Sequence, residues 1–353
     1  MGFPQMLPNT QGYPAPIVLE EAYRLWKPDP ADFIFRQIMP DKLYATPSIN
    51  YDILGSPFGR LAEGNMDSKP QAVGPRKRQT VSLFPYYRDR LEVLRPSDAV
   101  NQHALGMLNV ISPMEIAMQM AESIAIATQV EFEFNRVQAL LGSITPTLFG
   151  ATGATYTYPV QTPAAPAVLW ANPNSNPIAD ILGWVIALRG IASKPKLYCN
   201  LTVMGYLAQN AAIVNLAKQS VYATEVGPGS SGDTVSARGV ASLLQSFTGV
   251  EGIILYDKGF RNMDGSGNYT YQTFLPDNRV LLIGEPPDGQ PLGALGLCPT
   301  INNGGYNNPM PGDFLKVVDK SLSEINGCYE IYGGASFCPE LHFPDAVVVG
   351  AIG

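Results

Sequence analysis

Histidine is almost absent from this 353-residue chain. There are two, His103 and His342, and no HxH or HxxxH pair exists. Transition-metal centres and acid–base catalysis near neutral pH draw heavily on imidazole, so both lose their usual residue. Each histidine is expected as a packed or loop residue. Four cysteines (Cys199, Cys298, Cys328, Cys338) are spread without a CxxC pair, which excludes a zinc knuckle and a disulfide framework. They are expected as small buried hydrophobes in a reducing compartment. Charged residues make up 15% of the chain, against about 25% in an ordinary soluble domain. No apolar run approaches the ~20 residues of a membrane helix, so no membrane partner is expected. The N-terminus lacks the basic stretch and apolar core of a secretory signal. Met6 also departs from the myristoylation pattern. A net charge of −7 speaks against a dedicated nucleic-acid binder.

Catalytic signatures are missing as well. There is no GxxxxGK[ST], no GxSxG and no HExxH. The stretch GPGSSG at 227–232 matches GxGxxG literally, but it holds a proline and no strand–turn–helix unit surrounds it. The stretch DGSGN at 264–268 lacks the ligand spacing and closing Glu of a calcium loop. No catalytic, cofactor-binding or metal-binding residue is assigned. No cofactor is expected, and the chain is not expected to be an enzyme.

Glycine (34) and proline (31) are abundant, well above their usual combined share of roughly 12%. Hydrophobic residues reach 46%, which rules out a disordered tail. Low charge with ordinary hydrophobicity and many turn-formers suggests a surface largely covered by other protein. Residues 1–30 carry six prolines, and proline fixes φ and removes a donor, so they read as an extended arm with at most one short helix at 17–26. Such an arm is expected to lie on a neighbouring molecule.

Residues 46–96 read as two strand-forming stretches, 49–58 and 80–94, around a long polar tip at 60–79. Between residues 60 and 95, eight basic residues (Arg60, Lys69, Arg76, Lys77, Arg78, Arg88, Arg90, Arg95) oppose Glu63, Asp67, Asp89 and Glu92. That stretch is net +4, which leaves −11 on the remainder. A basic extended loop on an acidic body suits a subunit that grips an identical subunit, because opposite potentials steer encounter and fix register.

The clearest element spans 112–142. Ser112, Pro113 and Glu115 form an N-terminal capping box, and Gly142 suits the C-terminal cap. Ile116, Met120, Ile124, Ala127, Val130, Phe134, Val137 and Leu141 recur every three or four residues and predict the buried face. Gln119, Glu122, Gln129, Glu133 and Arg136 fall on the opposite side. The rod would be about 43 Å long. Beyond it, strands are predicted at 155–160, 167–171, 196–199, 250–256, 269–275, 279–283, 314–322, 328–332 and 346–352. Helices are predicted at 177–189, 202–218 and 236–247, with a hairpin turn at 264–267 and a loop at 301–312. The mixture lacks regular βαβ repetition and reads as α+β.

The order of parts (proline-rich arm, basic hairpin loop, long helix, mixed α/β domain, returning strands) resembles the major capsid proteins of tailed bacteriophages. Within these it is similar to the lambda-like capsid protein E family. Locally, the resemblance rests on the strand at 253–256, the FLPDN element at 274–278 with the following strand 280–284, the Gly-rich stretch 293–298 with Cys298, and the Pro344-Asp345 turn into 346–349. The resemblance implies the HK-97-like capsid fold. An N-arm would cover 1–45, an extended E-loop hairpin 46–98, and a peripheral domain 99–174 with its spine helix at 112–142. An axial domain would follow at 175–275, and 276–353 would return to the peripheral domain. It also implies a major head protein assembling into the hexamers and pentamers of an icosahedral shell around double-stranded DNA, which the acidic chain would contact weakly. Scaffold, portal and sometimes decoration proteins would be its other partners, the virion its location and the host bacterial cytoplasm its place of assembly. Arg60, Lys69, Arg76, Lys77, Arg78, Arg88 and Arg90 would be the intersubunit contacts of the E-loop. An encapsulin-type compartment, housing an enzyme instead of DNA, resembles the same fold.

Overall fold

The computed structural model describes residues 19–20, 23, 32–55, 78–95, 112–148, 151–229, 232–263, 269–286, 289–320 and 328–353. The long helix runs from Pro113 to Leu140. Its start is fixed by the capping box: Ser112 Oγ accepts the Glu115 N–H at 3.2 Å, and the Glu115 carboxylate accepts the Ser112 N–H at 3.4 Å. Gly142, at φ +101°, turns the chain away beyond the other end. Replacing Ser112 with alanine should therefore cost about 1 kcal/mol, read as a lower calorimetric midpoint.

The buried face of this helix departs from the apolar stripe. Ile116, Ile124 and Val137 are buried as expected, but so are Ala117, Ala121, Ala125, Phe132, Ala139 and Leu140. Gln129, Glu133 and Arg136, which fall on the predicted outer side, are buried too. Small alanines let the helix settle closely onto a sheet, and Glu133 and Arg136 find partners from distant parts of the chain.

That sheet is built on the 13-residue strand Tyr329–Leu341. One edge pairs antiparallel with Tyr86–Leu94. The opposite edge is shared, with Phe314–Asp319 along residues 329–334 and Gly293–Thr300 along 336–341. Asp41–Leu43 adds in parallel beside Gly293–Thr300. The helix lies across one face, where the Phe337 ring meets those of Phe132 and Tyr86, each at 4.9 Å between centroids. At Gly333 the approach is so close that a Cβ would sit 2.7 Å from Ile124 Cγ2.

A second sheet has the order Gly252–Leu255, Ser193–Cys199, Arg279–Glu285, Val347–Ala351. Its alternation is strict. Leu197, Cys199, Val280, Leu282 and Val348 face one apolar cluster, with residues of the helices Pro177–Ala187, Leu201–Gln209, Ala211–Lys218 and Ala237–Thr248. Tyr198, Leu281, Ile283, Val347 and Val349 face another, which includes Phe35, Phe132 and Leu140. The sheet is thus buried on both faces, by helices on one side and by the long-helix body on the other.

Several expectations need correction. The strands Arg279–Glu285 and Val347–Ala351 belong to the second sheet, so the stretch 276–353 does not return as a whole to the first body; residues 293–300, 314–319 and 329–341 do. The hairpin assigned to 46–98 closes at Leu83, because Tyr86–Leu94 is a strand of the first sheet. The helix predicted at 202–218 is two helices broken at Asn210, whose buried side chain accepts from the Ala212 and Ile213 N–H groups and donates to the Pro173 and Ser175 carbonyls. Residues 167–171 form no strand, and within 155–160 only Tyr156–Thr157 does. The strand at 252–255 does not pair across the predicted turn; Gly259–Met263 pairs with Tyr269–Thr273 instead, and the turn itself lies outside the described residues. Finally, Leu19 and Tyr23 of the arm pack on their own chain, beside Leu315 and Val317, while Glu20 accepts the Val317 N–H at 3.2 Å. The other residues of the arm, 1–18, 21–22 and 24–31, lie outside the described residues.

Candidate intersubunit surface

The hairpin pairs Ile49–Leu54 with Arg78–Leu83 in a register that separates two chemistries. Ile49, Tyr51 and Leu83 point inward and are buried. They rest on the first sheet at Gly296, where a Cβ would stand 2.5 Å from Ile49 Cδ1, so only glycine admits this approach. The Tyr51 ring meets His342 edge-on at 5.5 Å, and the Leu54 N–H donates to the His342 carbonyl at 2.9 Å. His342 is therefore a packed residue, as expected; His103 lies outside the described residues. The outward face is a polar ladder in which Thr80 Oγ1 donates to Asp52 at 2.7 Å and Ser82 Oγ to Asn50 at 2.6 Å. Opposed apolar and polar faces make the hairpin a stiff stalk with its base fixed to the body.

The seven basic residues assigned to the loop separate into three groups. Arg60, Lys69, Arg76 and Lys77 lie outside the described residues, between the two strands of the stalk. Arg78 stands on the stalk, 68% exposed, with the Asp52 carboxylate at 3.9 Å. Arg88 and Arg90 are not on the hairpin: they sit on Tyr86–Leu94 and face the long helix of their own chain. Arg88 meets Glu131 at 3.4 Å, and Arg90 meets Glu92 at 2.9 Å, which also accepts from Ser123 Oγ. The two arginines border a cleft of about 300 Å³ with Thr128, Glu131, Gly333 and Gly334.

Two buried charge clusters went unread in the sequence. Glu133 and Arg136 are 0% and 1% exposed on the long helix. Glu133 Oε1 accepts the Phe35 N–H at 3.1 Å and the Tyr256 hydroxyl at 2.8 Å, and Oε2 faces Arg136 at 3.4 Å. Arg136 donates from Nε to the Met39 carbonyl at 2.9 Å and pairs with Asp41, which Arg36 also approaches at 3.3 Å. Burial pushes the Glu133 carboxyl above its ordinary value against the pull of these donors, and pushes Arg136 below its own. In the other cluster Glu340, 0% exposed, meets Lys42 at 3.1 Å and the Tyr44 hydroxyl at 2.5 Å, with His342 at 3.7 Å. Burial raises the Glu340 carboxyl, but hydrogen bonds from His342, Tyr44 and Lys42 outweigh it and hold the group below its ordinary value. Both clusters tie residues 35–44 to elements roughly a hundred or more positions away, so no local spacing could have shown them.

Burial lifts the thiols of Cys199 and Cys338 to about 12 and that of Cys298 to about 11, in keeping with their expected role as packed hydrophobes. The GxGxxG-like stretch lies within the hairpin Val226–Gly229/Gly232–Val235 rather than at a strand–helix turn. Among the described residues no group of three or more potential metal-binding side chains converges.

No family model matches the sequence, and no curated protein matches it. Among solved structures, the chain is similar to a phage-related protein from Bordetella bronchiseptica RB50, at 11% identity over 95% of this chain and 96% of that one, with a TM-score of 0.54. It is also similar to a protein assigned as the capsid protein of a prophage of E. coli CFT073, at 15% identity over 94% and 97%, with a TM-score of 0.53. The fold is the HK-97-like phage capsid fold, α+β in class.

Proposed function

We propose that this chain is a major capsid protein, which assembles with copies of itself into hexamers and pentamers of an icosahedral shell enclosing double-stranded DNA. The observation that carries this reading is the agreement in fold along nearly the whole of this chain and of the prophage protein. The anchored stalk supports it, since the basic residues from Arg60 to Lys77 lie in sequence between two paired strands fixed to the body. Charge supports it too: a net −7 chain avoids gripping DNA that must later leave the shell. In this reading the chain has a structural rather than an enzymatic role. Its partners besides itself are a scaffold, a portal and sometimes a decoration protein, and assembly takes place in the bacterial cytoplasm before the protein ends in the virion.

Arg76, Lys77 and Arg78 carry the intersubunit contact of the loop, while Arg88 and Arg90 serve their own subunit. Changing the first three together to glutamate should abolish or strongly impair assembly, with the monomer still folded by circular dichroism. Negative-stain microscopy of size-fractionated protein, expressed with its scaffold, reads the outcome. Normal shells from the triple variant would remove the loop contact from the proposal. A wild-type chain that stays monomeric beside its scaffold would overturn the shell itself.

A further inference from the structure

We propose that the buried Glu133–Arg136 pair is a joint that sets the angle between the two sheet-bearing bodies, acting through residues 32–43. Those residues run between the bodies and are held at both ends. At one end Phe33 meets Phe274 at 5.6 Å, Phe35 meets Tyr198 at 5.4 Å and Tyr256 at 5.0 Å, and Asp32 pairs with Lys258 at 2.8 Å, all on the side of the second sheet. At the other end Asp41 begins the strand that joins the first sheet. Between them the long helix supplies both halves of the joint. One oxygen of Glu133 receives the Phe35 N–H and the Tyr256 hydroxyl together, and Tyr256 directly follows the strand Gly252–Leu255 of the second sheet. Arg136 reaches the other way, to the Met39 carbonyl and Asp41.

Apolar residues would hold these elements together as firmly, because a buried ion pair seldom outperforms well-packed hydrophobes of the same volume. What the charges add is direction. Charge-assisted hydrogen bonds are short and angularly defined, so one arrangement of three elements satisfies all of them, whereas an apolar contact tolerates sliding. For a shell subunit a defined angle between the bodies decides which curvature the copies can build; that consequence rests on the shell reading, while the joint itself does not.

The test uses the full chain outside any shell. Spin labels are placed at Glu122→Cys on the long helix and Phe247→Cys on the helix Ala237–Thr248, both exposed, in a Cys328→Ser background whose remaining cysteines are buried. Double electron–electron resonance then reads the distance between the bodies. The parent should give one narrow distribution. Glu133→Leu with Arg136→Met, which keeps the volume and removes the charges, should displace the mean and broaden the distribution with the fold intact by circular dichroism. Tyr256→Phe, which deletes a single hydroxyl donor, should broaden it to a smaller degree, and it decides the matter if the double variant does not fold. Parent-like distributions in the folded variants overturn the joint. Failure of the wild-type protein to form shells would leave these distances unaffected and would count against the shell reading alone.

Discussion

Replacing Arg136 with alanine should destabilise the folded chain by about 3–5 kcal/mol, because the substitution leaves the Glu133 carboxylate buried without its counter-charge. Urea unfolding would show this as a lower midpoint at an unchanged slope. The loss should also depend on pH in a defined sense. A carboxyl whose folded pKa lies above its unfolded value binds its proton more tightly in the folded state, so stability falls as pH rises from the unfolded value through the folded one. The Glu133 carboxyl is already raised by burial, and removing the arginine charge raises it further. The variant should therefore lie closest to wild type at mildly acidic pH and farthest from it at pH 8. An equal loss at both would mean that Glu133 is not ionised in the native protein.

Phe337→Ala should cost a comparable amount, about 3–5 kcal/mol, for an unrelated reason. Phe337 is 1% exposed and sits at the middle of the first body, its ring edge against Tyr86 on one strand and Phe132 on the long helix. Truncation empties a space that three different elements line, and none can close it without moving the others. The sharper expectation concerns where the loss appears: hydrogen exchange should speed up first along Tyr86–Leu94, which among the described residues pairs with Tyr329–Leu341 alone. Uniform acceleration over the whole chain would mean that the first sheet opens only with global unfolding.

Much of this architecture could be read from the sequence, because local chemistry states it. The capping box at 112–115 and the glycine at 142 bound the long helix to within two residues at either end. The strand-forming stretches at 49–58 and 80–94 take in most of the stalk, although the second also runs into the first-sheet strand Tyr86–Leu94, and the strands at 253–255 and 280–283 stand out as apolar runs. What escaped was set by contacts distant in sequence. The strand Tyr329–Leu341 contains Gly333, Gly334 and Pro339, which argue against a strand on propensity. Yet Gly334 is glycine because a Cβ there would stand 2.1 Å from the Arg88 carbonyl oxygen of the neighbouring strand. Gly293–Thr300 reads as a loose glycine stretch for the same reason: at Gly293 a Cβ would meet the Glu340 carbonyl at 2.1 Å.

The candidate site divides in the same way. Its charge asymmetry is plain from composition, but composition cannot tell a residue on the stalk from one on the adjacent strand. Arg78 and Arg88 are ten positions apart and differ wholly in surroundings, because the chain changes sheets at Phe84-Pro85. Glu133 and Arg136 were assigned to solvent by a periodicity that counts apolar residues alone. Their partners stand on residues 35–41 and at Tyr256, and nothing within a helical turn announces them.

Asp41–Leu43 pairs with Leu295–Leu297, and the second sheet has its edge strand at Val347–Ala351. A ribosome making this chain therefore holds both bodies unfinished until almost everything has emerged. The stalk lacks its seat at Gly296 until then, and Glu340 is the last-made partner of Lys42 and Tyr44. Pairings this distant in sequence form slowly, since a long loop must close before any contact rewards it. Completion of the chain thus acts as a clock. A fragment released early carries the basic loop but not the seat on which its two flanking strands rest.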